Sequence, residues 1–136
     1  MSPATIFSIA NTFVLIGWLL LIFAPKWEIG SKYVVTSIVL ILSLVYAFLV
    51  IPGLPSFDPA SFSSLSQVKA LFQDDAMLTA GRIHYLAFDL FIGSIIVQKG
   101  LALKIPRWQY TVCLPFTFMF GPIGLLLFYL FKALKK

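Results

Sequence analysis

The sequence predicts an all-α, polytopic membrane protein with four transmembrane helices and no soluble domain. Of its 136 residues 60% are apolar and only 11% are charged, which leaves too few polar side chains to cover a soluble domain of this size. The charged residues also fall in clusters between long uncharged runs. Each run is about as long as a helix that crosses the hydrocarbon core. We therefore treat residues 1–136 as a single transmembrane domain.

The first two predicted spans cover residues 4–24 and 33–51. No charged side chain occurs from Met1 to Pro25, and this run is longer than a typical signal-peptide core, which favours a retained helix. The second run is rich in Val, Ile and Leu. In lipid such a run forms a helix, because every backbone polar group needs an internal partner.

The connection at residues 52–75 is the longest polar stretch of the chain. Four apolar residues recur in it at helical spacing: Leu65, Val68, Leu71 and Phe72. This pattern is typical of a short amphipathic helix on a membrane surface. We predict an interfacial helix at about 64–73, and a plain connector explains the pattern equally well.

The third predicted span, residues 76–98, contains ionisable residues that carry the functional argument. An aspartate at mid-span costs about 2.5–3.5 kcal/mol, so Asp89 needs a reason to be there. It either forms an interhelical hydrogen bond or ion pair, or serves as a proton-transfer or substrate-binding group. At 100° per residue, four residues share one stripe of this helix: Arg82, Tyr85, Asp89 and Gly93. On that stripe Tyr85 is within reach of Asp89, and Gly93 lets another helix or a ligand approach.

His84 is the only histidine and lies about 140° round the helix from Asp89. Both residues can still border one cavity, although a lone histidine near a span end is more often an interfacial or hydrogen-bonded residue than a ligand. With one histidine and one cysteine, Cys113, neither a His-rich nor a Cys-based metal site can form within the chain. We predict no metal site.

The fourth predicted span, residues 108–131, contains helix-disrupting residues. Pro115 and Pro122 are expected to kink the helix and to free backbone carbonyls. Gly121 and Gly124 thin the helix beside a run of phenylalanines that includes Phe118. The resulting flat aromatic surface suits a long apolar ligand, and lipid-facing packing explains it equally well.

The net charge of +5 is better explained by anionic lipid head groups than by nucleic acid, because no Lys/Arg-rich block is present. With four crossings, one side of the membrane holds Lys26, Lys32, Lys99, Lys104 and Arg107. The other side holds Lys69, Arg82, Lys132, Lys135 and Lys136. The counts are equal, so the positive-inside rule gives no orientation.

Two segments carry a family resemblance: HYLAFDLFIG at residues 84–93 and FTFMFGPIGLLL at residues 116–127. Together they resemble the abscisic-acid-deficient-four-like (neoxanthin synthase) membrane protein family, and the chain looks like a bacterial-type member. The resemblance covers most of the chain in layout. The first two spans match only in hydropathy and length.

The resemblance implies a multi-pass carotenoid-modifying protein of a photosynthetic or bacterial inner membrane. The implied reaction isomerises an epoxide to an allene, which requires an acid and a base but no redox cofactor. On this view Asp89 and His84 are catalytic. The substrate-binding residues are then Arg82, Tyr85, Gly93, Phe118, Gly121, Pro122 and Gly124. No cofactor is predicted, although bound carotenoid or lipid is expected.

The alternative is a non-enzymatic pigment-binding or scaffold subunit of a larger, photosynthetic membrane complex, or of a homo-oligomer. A transporter is disfavoured, because one polar stripe is too little to line an aqueous path in a monomer. No nucleotide-binding loop, nucleophile elbow or metal-ligand spacing is present, which gives hydrolase, kinase and metalloenzyme functions no support.

Overall fold

The computed structural model describes residues 1–135, and every regular element in that range is helical. Lys136, which entered the charge count above, lies outside the described residues. The described range contains six α-helices: α1 (Pro3–Phe23), α2 (Val35–Val50), α3 (Leu65–Leu71), α4 (Asp75–Ala102), α5 (Arg107–Phe120) and α6 (Pro122–Leu134). The all-α prediction is confirmed.

Helix α1 begins where its sequence supplies a cap. The Ser2 hydroxyl accepts a hydrogen bond from the Thr5 N–H at 3.2 Å, and Pro3 occupies the first turn, where no N–H is needed. A buried stripe that includes Val14, Trp18 and Leu21 faces the bundle. This stripe packs α1 against α4.

Helix α2 is the middle of a longer helical stretch, Ile29–Ser56. A π-helical turn, Ile29–Val34, precedes it and a 3-10 turn, Ile51–Ser56, follows it. Its buried residues, Val35, Ile38 and Leu42, face α4. The observed stretch is therefore longer at both ends than the predicted span, 33–51.

The polar connection after α2 is capped twice by its own side chains. Asp58 accepts from the Ala60 N–H at 2.9 Å at the start of the 3-10 turn Pro59–Phe62, and Ser64 caps α3. Helix α3 lies within the range 64–73, and none of its residues is buried. Its position on a membrane surface stays a prediction.

Helix α4 is the centre of the bundle. Asp74 caps its start by accepting from the Met77 N–H at 2.9 Å. It packs against α1, α2 and α5, and it is the most buried of the three long apolar stretches. Its polar residues therefore reach different neighbours, depending on the face from which they project.

The predicted fourth span is not one kinked helix. It is divided at Gly121, which has a φ of +37°, between α5 and α6. The rings of Trp108, at the start of α5, and Phe131, near the end of α6, lie 5.6 Å apart. The chain therefore reverses at Gly121, and α5 and α6 form a helical hairpin. Pro122 begins α6 instead of kinking a helix interior.

Three helical stretches are long and apolar enough to cross a membrane: Pro3–Phe23, Ile29–Ser56 and Asp75–Ala102. Helices α5 and α6 have 14 and 13 residues, about 21 Å and about 20 Å at 1.5 Å per residue. Each is shorter than a hydrocarbon core of about 30 Å. The structure thus provides three candidate crossings and a hairpin.

Candidate functional site

A cavity of about 850 Å³ lies where the end of α2, the polar connection and the start of α4 meet. Its wall is largely aromatic and apolar, with a few polar groups. The lining includes Tyr46, Gly53, Asp58, Asp74, His84 and Tyr85. Helices α2 and α4 form two sides of the cavity, and the polar connection between α2 and α4 forms the remaining wall.

His84 lines this cavity within a group of aromatic rings. Its ring centroid lies 4.7 Å from that of Phe88, 5.8 Å from that of Tyr46 and 6.0 Å from that of Tyr85. His84 is exposed, and within residues 1–135 neither of its ring nitrogens bonds to another protein group. The imidazole is therefore free to donate to or accept from a ligand in the cavity. Sequence reasoning missed Tyr46, because a tyrosine in an uncharged span has no distinguishing pattern.

Arg82 projects away from the cavity, toward α1. Its Nε and Nη2 donate to the Asn11 Oδ1 at 3.2 and 2.9 Å, and the Asn11 amide donates to the Phe7 carbonyl at 2.7 Å. The guanidinium is thus held between helices and does not line the cavity with His84. Asn11 could have been found from sequence, since it is a strongly polar side chain in an otherwise apolar span.

Asp89 lies against the turn of the hairpin. A Cβ built on Gly121 would lie 2.6 Å from the Asp89 Oδ1, so only glycine lets the carboxylate approach this closely. The carboxylate is also near the N-terminal end of α6, where the helix dipole is positive. No hydrogen bond or ion pair to Asp89 occurs within the described residues, and the expected contact with Tyr85 is not formed.

Gly93 and Phe118 are occupied by packing against Trp18. A Cβ on Gly93 would lie 2.8 Å from the Trp18 ring. The rings of Trp18 and Phe118 meet edge to face at 5.5 Å. Both positions were predicted to contact substrate. The structure instead fills the space beside them with an α1 side chain that is itself buried.

Gly121, Pro122 and Gly124 form the hairpin turn. A Cβ on Gly124 would overlap the Thr117 side chain and lie 2.7 Å from the Cys113 carbonyl, so the glycine allows α6 to lie directly on α5. These three residues therefore contact the chain itself. None of them lines the cavity that contains His84.

The predicted site thus separates into parts that face different neighbours. His84 and Tyr85 line the cavity, Arg82 binds α1, and Asp89 meets Gly121 at the hairpin. His84 and Asp89 are five residues apart on α4, about 7.5 Å along the axis and about 140° round it. The structure does not bring Asp89 into the cavity that contains His84.

The family model that matches this chain is described as ABA DEFICIENT 4-like, and it covers residues 5–128. The chain belongs to the ABA DEFICIENT 4-like family. It is 30% identical over 140 residues to Protein ABA DEFICIENT 4, chloroplastic, of Arabidopsis thaliana. That alignment covers 96% of this chain and 62% of the relative, so the chain spans about three-fifths of the relative's length. No solved structure matches.

The ABA DEFICIENT 4-like match includes both parts of the candidate site. It contains the cavity lining from Tyr46 to Tyr85, the contact of Asp89 with Gly121, and α6 as far as Phe128. The hairpin is therefore not an addition outside the family region. The cavity and the hairpin both lie within the part of the chain that defines the family.

Proposed function

We propose that this ABA DEFICIENT 4-like protein acts on a carotenoid within the membrane, isomerising an epoxide end group to an allene by acid/base chemistry. Membership of the family supports the substrate class. The cavity supports the site, and the observation that carries the proposal is the placement of the His84 imidazole among the aromatic rings of its wall.

The size and lining of the cavity suit one cyclic end group of a carotenoid. Ligand pockets are typically about 300–1,000 Å³ and largely apolar with a few polar groups, and this cavity of about 850 Å³ matches that description. Tyr46 and Tyr85 provide flat faces and hydroxyl groups for a substituted ring. The polyene would extend along the apolar surface of the bundle.

The reaction is an isomerisation, so atoms and electrons balance within the substrate. A proton is delivered to the epoxide oxygen as one carbon–oxygen bond breaks. A proton is removed from the neighbouring polyene carbon as the allene forms, which leaves a tertiary alcohol. An imidazole can give and take protons near neutral pH, and we assign this role to His84 with Tyr85 or Tyr46 holding the oxygen.

Asp89 has a different role in this proposal from the one expected from sequence. It lies about 7.5 Å along α4 from His84 and on another face, and it is not among the residues lining the cavity. We assign it to the hairpin contact with Gly121. Arg82 likewise serves the α1–α4 contact through Asn11.

The test is turnover by the purified protein in liposomes, supplied with an epoxy-carotenoid such as violaxanthin and analysed by chromatography. His84→Gln keeps a polar side chain but cannot transfer a proton, so we expect conversion to fall about 100-fold or more. Tyr33→Phe, at an exposed position in the π-helical turn before α2, is the control and should convert normally. Unchanged turnover by His84→Gln would exclude the assignment.

A second candidate, a pigment-binding or scaffold subunit, has one specific observation in its favour. A groove of about 190 Å³ between α2 and α4 is lined by Val39, Ser43, Ala87, Phe88 and Phe91, with no ionisable group. Such a groove can hold an apolar chain, but it has no group that could transfer a proton. In the same assay, carotenoid retained through purification but never converted would favour this candidate over the enzyme.

A further inference from the structure

The reversal at Gly121 changes which lysines and arginines share an end of the bundle. Helix α6 returns to the end where α4 finishes and α5 begins, because Trp108 contacts Phe131. In a four-crossing arrangement the C-terminal lysines would instead lie at the opposite end. On the observed fold the C-terminal lysines therefore join the basic residues of the first connection and of the α4–α5 turn.

Several contacts fix the C-terminal segment at that end. The Lys99 ammonium lies 3.3 Å from the Tyr129 hydroxyl, and the Lys132 ammonium lies 5.3 Å from the centre of the Tyr129 ring. The Lys135 ammonium donates to the Leu103 carbonyl. Arg107 binds the last turn of α1, donating to the Ile22 carbonyl at 3.2 Å.

Within the described residues, the end of the bundle that holds the first connection and both ends of the hairpin is strongly basic. This basic end contains Lys26, Lys32, Lys99, Lys104, Arg107, Lys132 and Lys135, with Glu28 as its one acid. The other end, called here the cavity end, contains Lys69 and Arg82 together with Asp58, Asp74 and Asp75. The equal counts of the four-crossing arrangement become seven against two.

We propose that α5 and α6 enter the membrane and return without crossing it, and that the basic end contacts the anionic head groups of the cytoplasmic leaflet. Loops rich in Lys and Arg are retained on the cytoplasmic side, and basic residues near an anionic leaflet are attracted to its head groups. Neither hairpin helix is long enough to cross alone. This inference does not depend on the proposed function.

Two consequences follow for the rest of the molecule. With three crossings, the start of α1 and the end of α6 lie on opposite sides of the membrane. The start of α1 is at the cavity end. The cavity that contains His84 then opens toward the side opposite the cytoplasm. Asp89 lies near the middle of α4 and Gly121 lies against it, so the hairpin turn is at about the depth of the bilayer midplane.

The test is cysteine accessibility in bacterial spheroplasts that express the full chain. The buried Cys113 is first replaced by Ser, which can still donate to the Gln109 carbonyl as the thiol does. Single cysteines are then introduced at exposed positions by Glu28→Cys, Ser66→Cys and Ala133→Cys. A membrane-impermeant maleimide is applied to intact and to permeabilised spheroplasts.

We expect Ser66→Cys to be labelled in intact spheroplasts, and Glu28→Cys and Ala133→Cys only after permeabilisation. Labelling of both Ser66→Cys and Ala133→Cys from outside, with Glu28→Cys protected, would show that the hairpin crosses and would overturn the proposal. Labelling of Glu28→Cys and Ala133→Cys from outside would overturn the assigned orientation. Ligand turnover does not enter these readouts, so failure here is distinct from failure of the proposed function.

Discussion

At the scale of single residues, the ionisable groups of α4 are separated by the faces from which they project. His84 meets the aromatic cavity wall, Arg82 meets Asn11 on α1, and Asp89 meets Gly121. Sequence spacing correctly indicates that His84 and Asp89 lie on different faces. It cannot indicate which neighbour each face contacts, because that depends on how the other helices pack.

Gly121 is the residue on which the hairpin most depends, and its replacement gives a residue-scale prediction. Gly121→Ala forces a side chain into φ +37° and brings its Cβ to 2.6 Å from the Asp89 carboxylate. We expect a loss of about 1–3 kcal/mol of stability, measured as a lower unfolding midpoint in detergent micelles. Part of that loss should disappear in an Asp89→Ala background, with a coupling of about 0.5–3 kcal/mol.

The matched control for this cycle is Gly53→Ala. A Cβ on Gly53 meets nothing closer than the Met77 methyl at 3.9 Å, so its unfolding midpoint should stay near that of the unmodified protein in both backgrounds. Equal losses from Gly121→Ala with and without Asp89 would contradict the assigned contact. The same holds if Gly121→Ala has no effect on the midpoint.

At the scale of elements, the first three long helices follow from sequence and the fourth segment does not. Long apolar runs predict α1, α2 and α4, because a chain in lipid must bond its backbone polar groups internally. A hydropathy pattern, however, does not distinguish a straight span from two short helices folded together. The Gly-Pro pair at 121–122 and Gly124 were recognised as helix-disrupting. The same residues can produce either a kink or a reversal, and only the packing of Gly124 against Thr117 and Cys113 distinguishes the two.

The hairpin predicts a short distance between the ends of the segment. Spin labels on Trp108→Cys and Phe131→Cys, in a Cys113→Ser background, should lie close together because the native ring centroids are 5.6 Å apart. A continuous helix over the same 23 steps would separate them by about 35 Å. Pulsed electron-spin measurements in liposomes distinguish these values, and a distance near the longer one would rule the hairpin out.

At the scale of the whole molecule, the all-α class and the family could be predicted from sequence, whereas the way the candidate residues divide between neighbours could not. His84 and Tyr85 were named and do line the cavity. Gly93 was expected to admit a helix or a ligand, and Trp18 of α1 lies against it. Phe118 was named for a flat aromatic surface, and its half-buried ring packs edge to face on Trp18. Tyr46 was missed, because the cavity forms only when α2, α4 and the connection come together.

In the proposed function the cavity of His84 holds the carotenoid end group that is converted, so a side chain that blocks the cavity should stop the reaction. Gly53 lines the cavity, and a Cβ there would make only an ordinary contact with the Met77 methyl at 3.9 Å, so Gly53→Trp is chosen to fill the cavity. The measurement is bound carotenoid and allenic product per protein, with Leu126→Trp on the exposed face of α6 as the control. We predict that Gly53→Trp loses both binding and product while Leu126→Trp keeps both. Full binding and conversion by a correctly folded Gly53→Trp would contradict the placement of the end group in this cavity.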